Sequence, residues 1–252
     1  MRQRVFAANW KMHKIRAEAH AFVTDLFSAG IQLVKAELVI CAPFTALSSL
    51  AADLADSNIA VGAQNFYYEP QGAYTGEISA AMLKDCGCTY VIIGHSERRN
   101  ILGEDDHLIR HKLEAALNTG LIPILCIGET LEQRHQGQAM EVVRRQLESA
   151  LVGLNPAPND YLIAYEPVWA IGTGVSAEPE DAQVMSAAIR AMLEKRFDRD
   201  AAGLARILYG GSVNPSNAAE LMRQPDIDGA LIGGASLNPF DYAEIIRRGI
   251  DG

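Results

Sequence analysis

Tyr161-Leu162-Ile163-Ala164-Tyr165 is an unbroken run of apolar and aromatic residues that passes directly into Glu166-Pro167. Its apolar positions are continuous rather than alternating, which is how a strand buried on both faces of a parallel sheet reads. Upstream, Asn155-Pro156-Ala157-Pro158-Asn159-Asp160 forms a break rich in turn residues. Downstream, Pro179 stands where a helix opens, and Met185, Ile189, Met192 and Leu193 fall on one stripe of that helix. A buried strand followed by an amphipathic helix is the repeating unit of an α/β fold.

The same unit recurs on both sides of this stretch. Further short apolar or β-branched runs occupy Val5 to Trp10, Glu37 to Ala42, Ile59 to Ala63, Thr89 to Ile93, Leu121 to Ile127, Arg206 to Tyr209 and Gly229 to Ile232, eight in all. Between them lie other helical stripes: Ala19, Phe22, Val23 and Leu26; Ile109, Leu113, Ala116 and Leu117; Val143, Leu147 and Leu151. Eight strand–helix alternations within 252 residues, with no linker, low-complexity tract or charge block, predict one domain over residues 1–252 folded as a single (β/α)8 barrel of parallel strands. The rival, a doubly wound sheet, should carry a glycine fingerprint after its first strand. That strand ends instead in Asn9-Trp10-Lys11-Met12, so no dinucleotide site is expected.

Composition narrows the function classes. A formal net charge of -9 leaves no positive field for nucleic acid or an anionic membrane, so an anionic ligand has to be small and locally held. The first residues lack the apolar core of a secretory signal and no stretch is long enough for a membrane span, which predicts a cytoplasmic protein. Cys41, Cys86, Cys88 and Cys126 are scattered among apolar neighbours with no histidine at ligand spacing, so buried reduced thiols are expected, with no disulfide and no metal.

In this architecture chemistry sits at the carboxyl ends of the strands. Strand one ends in Asn9 and Lys11, two residues apart and so on the same side. A lysine pointing into a barrel mouth needs an anionic partner, either a ligand or a glutamate at the rim. Strand four ends in Gly94-His95-Ser96-Glu97, placing His95 before a helix start with Ser96 as its expected cap. Backbone N–H groups there disfavour a cation and suit a neutral imidazole that donates a hydrogen bond. His13, His20, His107, His111 and His135 fall in loops or polar helical stretches and receive no role. Strand six delivers Glu166 at the rim, where burial is expected to raise its proton affinity. The following Val168-Trp169-Ala170-Ile171-Gly172-Thr173-Gly174 reads as a lid, and the alternative for Glu166 is a rim salt bridge. Strands seven and eight end in Tyr209-Gly210-Gly211-Ser212 and Gly233-Gly234-Ala235-Ser236, glycine turns whose N–H groups can approach a phosphate.

With these stretches, and with Gly62-Ala63-Gln64-Asn65, Ala73-Tyr74-Thr75-Gly76-Glu77-Ile78-Ser79 and Cys126-Ile127-Gly128-Glu129-Thr130, the chain resembles the triosephosphate isomerase family over nearly its whole length. The resemblance implies a TIM barrel that interconverts dihydroxyacetone phosphate and glyceraldehyde 3-phosphate in glycolysis and gluconeogenesis, with no metal and no organic cofactor. It implies Glu166 as the base, His95, Lys11 and Asn9 around the carbonyl oxygen, and Gly172, Ser212, Gly233 and Gly234 around the phosphate. It further implies Glu97 as support for Lys11, Cys126 packed behind the base, and a homodimer in which the loop bearing Thr75 inserts beside Asn9 to His13 of a second copy. Two positions depart from the family pattern. Val175-Ser176 stands where many relatives carry lysine and threonine, bearing on lid kinetics, and His13 stands where asparagine is common, bearing on the dimer. Two other readings of the same residues are a Schiff-base aldolase acting through Lys11 and a non-catalytic barrel that only binds sugar phosphates.

Overall fold

In a computed structural model, which describes residues 2–31, 35–170 and 177–251, eight parallel strands close into a barrel in chain order. They are β1 (Val5–Asn9), β2 (Glu37–Ala42), β3 (Ile59–Ala63), β4 (Tyr90–Ile93), β5 (Ile122–Ile127), β6 (Leu162–Tyr165), β7 (Arg206–Tyr209) and β8 (Gly229–Ile232). The ring closes where Val5 to Ala8 of β1 register against Gly229 to Ile232 of β8. All eight expected strands are present. The runs beginning at Thr89, Leu121 and Tyr161 enter the sheet one residue later, and the first leaves it at Asn9.

Around the ring run α1 (Arg16–Ser28), α2 (Leu47–Asp53), α3 (Ala80–Asp85), α4 (Ser96–Asn100), α5 (Asp106–Thr119), α6 (Leu131–His135), α7 (Ala139–Leu151), α8 (Pro179–Arg196), α9 (Arg199–Leu204), α10 (Ala218–Met222) and α11 (Pro239–Asp251). Local chemistry sets several of their starts. The Asp105 carboxylate accepts the Leu108 N–H at 2.8 Å to cap α5, Thr130 and Gln133 form a reciprocal capping box on α6, and Pro179 is the first residue of α8. The helical stripes are buried as expected, except that Leu117 and Met192, at the edges of theirs, are only half-buried.

Because side chains alternate along a strand, the sheet separates two apolar cores. Val5, Ala7, Val39, Cys41, Ile92, Cys126, Leu162, Ala164, Leu208 and Leu231 fill the barrel interior. Phe6, Ala8, Leu38, Ile40, Val91, Ile93, Ile163, Ile207 and Ile232 face outward into the helical layer. Each fully buried Val, Leu, Ile or Phe contributes roughly 1.5–3 kcal/mol, which offsets the conformational entropy of the ordered chain. Buried charge within the helical layer is paired. Lys112 of α5, 2% exposed, donates to Glu104 at 2.5 Å and to Asn65 at 2.7 Å.

At the amino-terminal end of the barrel, Asp228 ties β7 to β8. It accepts the Ile207 N–H at 2.9 Å and pairs with Arg190 at 2.8 Å and Arg2 at 2.5 Å. The next residue, Gly229, has φ +153°, and a Cβ there would lie 1.8 Å from the Val5 carbonyl oxygen. Gly229→Ala is therefore expected to push β8 away from β1 and cost about 2–3 kcal/mol or more. The urea midpoint should fall with an unchanged m-value, and a midpoint equal to that of the parent would show that closure tolerates the methyl group.

Candidate active site

The inward rows of side chains continue beyond the strand ends, and this places the site. Val5 and Ala7 are followed on the same side by Asn9, Leu162 and Ala164 by Glu166, Leu208 by Gly210, and Leu231 by Gly233. His95 joins them because Gly94, at φ +69°, turns the chain out of β4. Asn9, Lys11, His95, Glu166, Gly210, Gly211, Ser212, Val213, Asn214, Gly233 and Gly234 together line a cavity of about 240 Å³ at the carboxyl end of the barrel. The structure thus brings together every site residue expected from the sequence except Gly172. Gly172 lies outside the described residues, as do the outer part of the expected lid and Val175-Ser176.

Glu166 is 2% exposed. One carboxylate oxygen accepts the Ser96 N–H at 2.8 Å, and the other lies 3.0 Å from His95 Nε2. Burial alone pushes its pKa up, but His95, the Ser96 N–H and the Lys11 ammonium outweigh burial and hold it below the ordinary carboxylate range. The expectation of a raised proton affinity is corrected accordingly, and in the free protein the carboxylate is paired with His95 while lining the cavity.

His95, rather than Ser96, caps α4: its Nδ1 accepts the Glu97 N–H at 3.3 Å. An accepting Nδ1 leaves the proton on Nε2, facing Glu166. Burial pushes the imidazole's pKa down, yet beside the Glu166 and Glu97 carboxylates it lies above the usual value. The upward push comes chiefly from the Glu166 carboxylate resting against the ring. Without that carboxylate, burial and the N–H from the helix start both favour the neutral form expected from the sequence.

Of the two partners expected for Lys11, the structure shows the rim glutamate. The Lys11 Nζ lies 2.7 Å from Glu97 Oε1, while its chain lines the cavity beside Gly233. The Lys11 backbone is at φ +53°, an uncommon conformation for a residue with a side chain, and the Asn9 side chain steadies it by accepting the Lys11 N–H at 3.1 Å.

Several supporting residues receive no role in the sequence reading. Gly128 leaves room for the Glu166 backbone, since a Cβ there would meet the Glu166 carbonyl oxygen at 1.7 Å. The loop is pinned by Gln146 of α7, which accepts the Gly128 N–H at 2.7 Å and donates to its carbonyl at 3.2 Å. Gln146 was discoverable as a lone amide on a buried apolar stripe, where an unpaired polar group is costly. The wholly buried Glu129 accepts from Trp169 Nε1 at 2.8 Å and from the Tyr165 hydroxyl at 3.2 Å, and the Arg134 guanidinium covers the Trp169 ring at 4.4 Å. These contacts anchor Val168–Ala170, the first turn after Glu166.

Cys126, wholly buried, feels the Glu166 carboxylate, and burial pushes its thiol pKa up. Cys41 and Cys88 are buried as expected, whereas Cys86, at the end of α3, is only half-buried. Among the described residues no group of three or more His, Cys, Asp or Glu converges to hold a metal, and no helix is long and apolar enough to cross a membrane.

The arrangement offers one ionised buried carboxylate, a hydrogen-bond donor 3.0 Å from it, an ammonium, and glycine turns beside the carboxylate and the ammonium. That set can move a proton on carbon beside a carbonyl while holding an anion. Comparison with known proteins agrees. The family model for triosephosphate isomerase matches residues 4–249. A triosephosphate isomerase of Symbiobacterium thermophilum is 54% identical over 246 residues, 97% of this chain and 96% of that protein. Those of Chloroflexus aurantiacus and Moorella thermoacetica are 53% and 51% identical, each across 98% of this chain and 99% of the relative. A barrel with this mouth, matched almost end to end by the family model and by relatives at about half identity, belongs to the triosephosphate isomerase family.

Proposed function

We propose that this isomerase interconverts dihydroxyacetone phosphate and D-glyceraldehyde 3-phosphate by proton transfer through Glu166. The observation that carries the mechanism is the buried, ionised Glu166 carboxylate 3.0 Å from His95 Nε2 in the wall of the cavity. Glu166 takes the proton from the carbon beside the carbonyl. The C–H electrons become the double bond of an enediolate, and the carbonyl oxygen takes up negative charge. His95 donates from Nε2 to that oxygen, with the Lys11 ammonium and the Asn9 amide completing its surroundings. Glu166 then returns the proton to the neighbouring carbon, while His95 Nε2 gives its proton to the former carbonyl oxygen and takes that of the neighbouring hydroxyl, whose oxygen becomes the new carbonyl. The isomers have the same oxidation level overall, so the reaction requires no external electron carrier.

Ser212, Gly233 and Gly234 hold the phosphate in this reading, at the loops after strands seven and eight that serve this purpose in many barrels. Gly172 joins them on the strength of the family resemblance. The role fits glycolysis and gluconeogenesis in the cytoplasm. A homodimer fits the surface beside the mouth, where Met12 is 93% exposed, Leu102 61% and Phe44 38%, around a cavity shared with Asn9, Lys11 and His95. Apolar side chains clustered at one edge of a site suit cover by a second copy carrying the Thr75 loop.

Glu166→Asp draws the carboxylate back by one methylene and is expected to slow conversion of glyceraldehyde 3-phosphate by about 10²-fold or more without unfolding the protein. Equal rates for variant and parent would end the Glu166 mechanism. Borohydride should trap no substrate on Lys11, whereas the aldolase reading requires a stable adduct there. For the ligand-free protein, Glu166→Gln removes the carboxylate that raises His95, so ¹⁵N NMR should show the His95 titration moving to lower pH. A titration that stays in place or rises would show that Glu166 is not its main partner. Sedimentation should give a dimer for the parent, and Thr75→Arg, which adds bulk and charge at the implied contact, should shift it toward monomer.

A further inference from the structure

We propose that His107 and His111 form a surface site for a divalent transition-metal ion of the zinc class, outside the barrel mouth and independent of its chemistry. The two histidines stand one turn apart on α5, where residues i and i+4 are neighbours on one face. Their Nε2 atoms approach to 3.3 Å. Two nitrogens bound to one tetrahedral zinc at about 2.0–2.1 Å each are separated by about 3.3 Å, so the pair already has the spacing of a chelate. The rings meet edge to face, at 74° with centroids 4.4 Å apart. In the free protein this contact is a hydrogen bond between the rings, and the chelate replaces it, with both imidazoles turning about their soft χ2 so that the two Nε2 lone pairs face one ion. A tautomer shift that places each proton on Nδ1 frees Nε2 for the metal, with no net loss of protons.

The site is partly pre-organised, which lowers the ordering cost of binding. The spacing is fixed by the helix, and the His111 ring stacks on Tyr68 with centroids 5.0 Å apart. Tyr68 in turn packs on Tyr67 and Tyr67 on Tyr74, each at 4.6 Å, so a chain of rings runs from α5 into the loop that carries Thr75. Imidazole donors select zinc, nickel or copper over magnesium or calcium. The net charge of -9 draws cations toward the surface. Because no third His, Cys, Asp or Glu converges among the described residues, water completes the coordination and the site remains open.

Isothermal titration of the untagged full-length protein with Zn²⁺ or Ni²⁺, together with retention on an immobilised Ni²⁺ column, tests the proposal. One equivalent should bind per chain. His107→Ala and His111→Ala should each weaken binding about tenfold or more and abolish retention, while His20→Ala and His135→Ala should leave both unchanged. Should an alanine variant fail to fold, the corresponding glutamine variant, which keeps bulk and polarity but loses the ligand, replaces it. Three results would overturn the chelate: no binding by the parent at millimolar metal, undiminished binding in both variants, or loss in only one of them.

Discussion

An ionised carboxylate almost wholly withdrawn from water has to be compensated, and around Glu166 that requirement organises the upper half of the barrel. Its partners are all supplied within one shell: the Ser96 N–H, His95 Nε2 and the more distant Lys11 ammonium. Each is held by something else. His95 is fixed by the Glu97 N–H, Lys11 by the Glu97 carboxylate and Asn9, and the Glu166 backbone by a neighbouring loop cinched to Gln146. Glu97 therefore acts on both sides of the site, with its backbone setting the tautomer of His95 and its side chain pairing with Lys11. The same compensation that makes the carboxylate tolerable in the free protein keeps it deprotonated and ready to accept a proton.

Much of this arrangement was legible before the structure. The strands could be read because their apolar positions are continuous rather than alternating, which follows directly from burial on both faces. The strand ends could be read because an inward row such as Leu162, Ala164 and Glu166 keeps its parity across the rim. What could not be read depends on contacts between segments distant in sequence. Gly128 needs to be glycine only because the Glu166 carbonyl passes against it, and Gln146 matters only because its amide reaches Gly128. The cap of α4 fell to His95 rather than Ser96, a difference of one residue set by backbone torsion that residue preferences do not resolve. The sign of the Glu166 shift was missed for a similar reason. Burial was foreseeable, but the number of donors converging on the carboxylate was not.

The amino-terminal end shows the same physics without the chemistry. Asp228 is nearly buried and is satisfied by two arginines and a backbone N–H, and its contacts stay within the scaffold. Glu166, at the carboxyl end, faces a cavity, whereas Asp228, at the amino-terminal end, joins two strands.

The sheet that divides the inner core from the outer one also divides the tasks of the sequence. Residues of odd parity on β1 run inward toward Asn9 and Lys11, while their even neighbours touch only the helical layer. Drift in one set is therefore insulated from the other by a hydrogen-bonded wall. Apart from ties such as Gln146 to Gly128, the outer layer can be rewritten for a new temperature or partner while the inner column passes through unchanged. Such a chain is free to vary over much of its length without renegotiating its reaction.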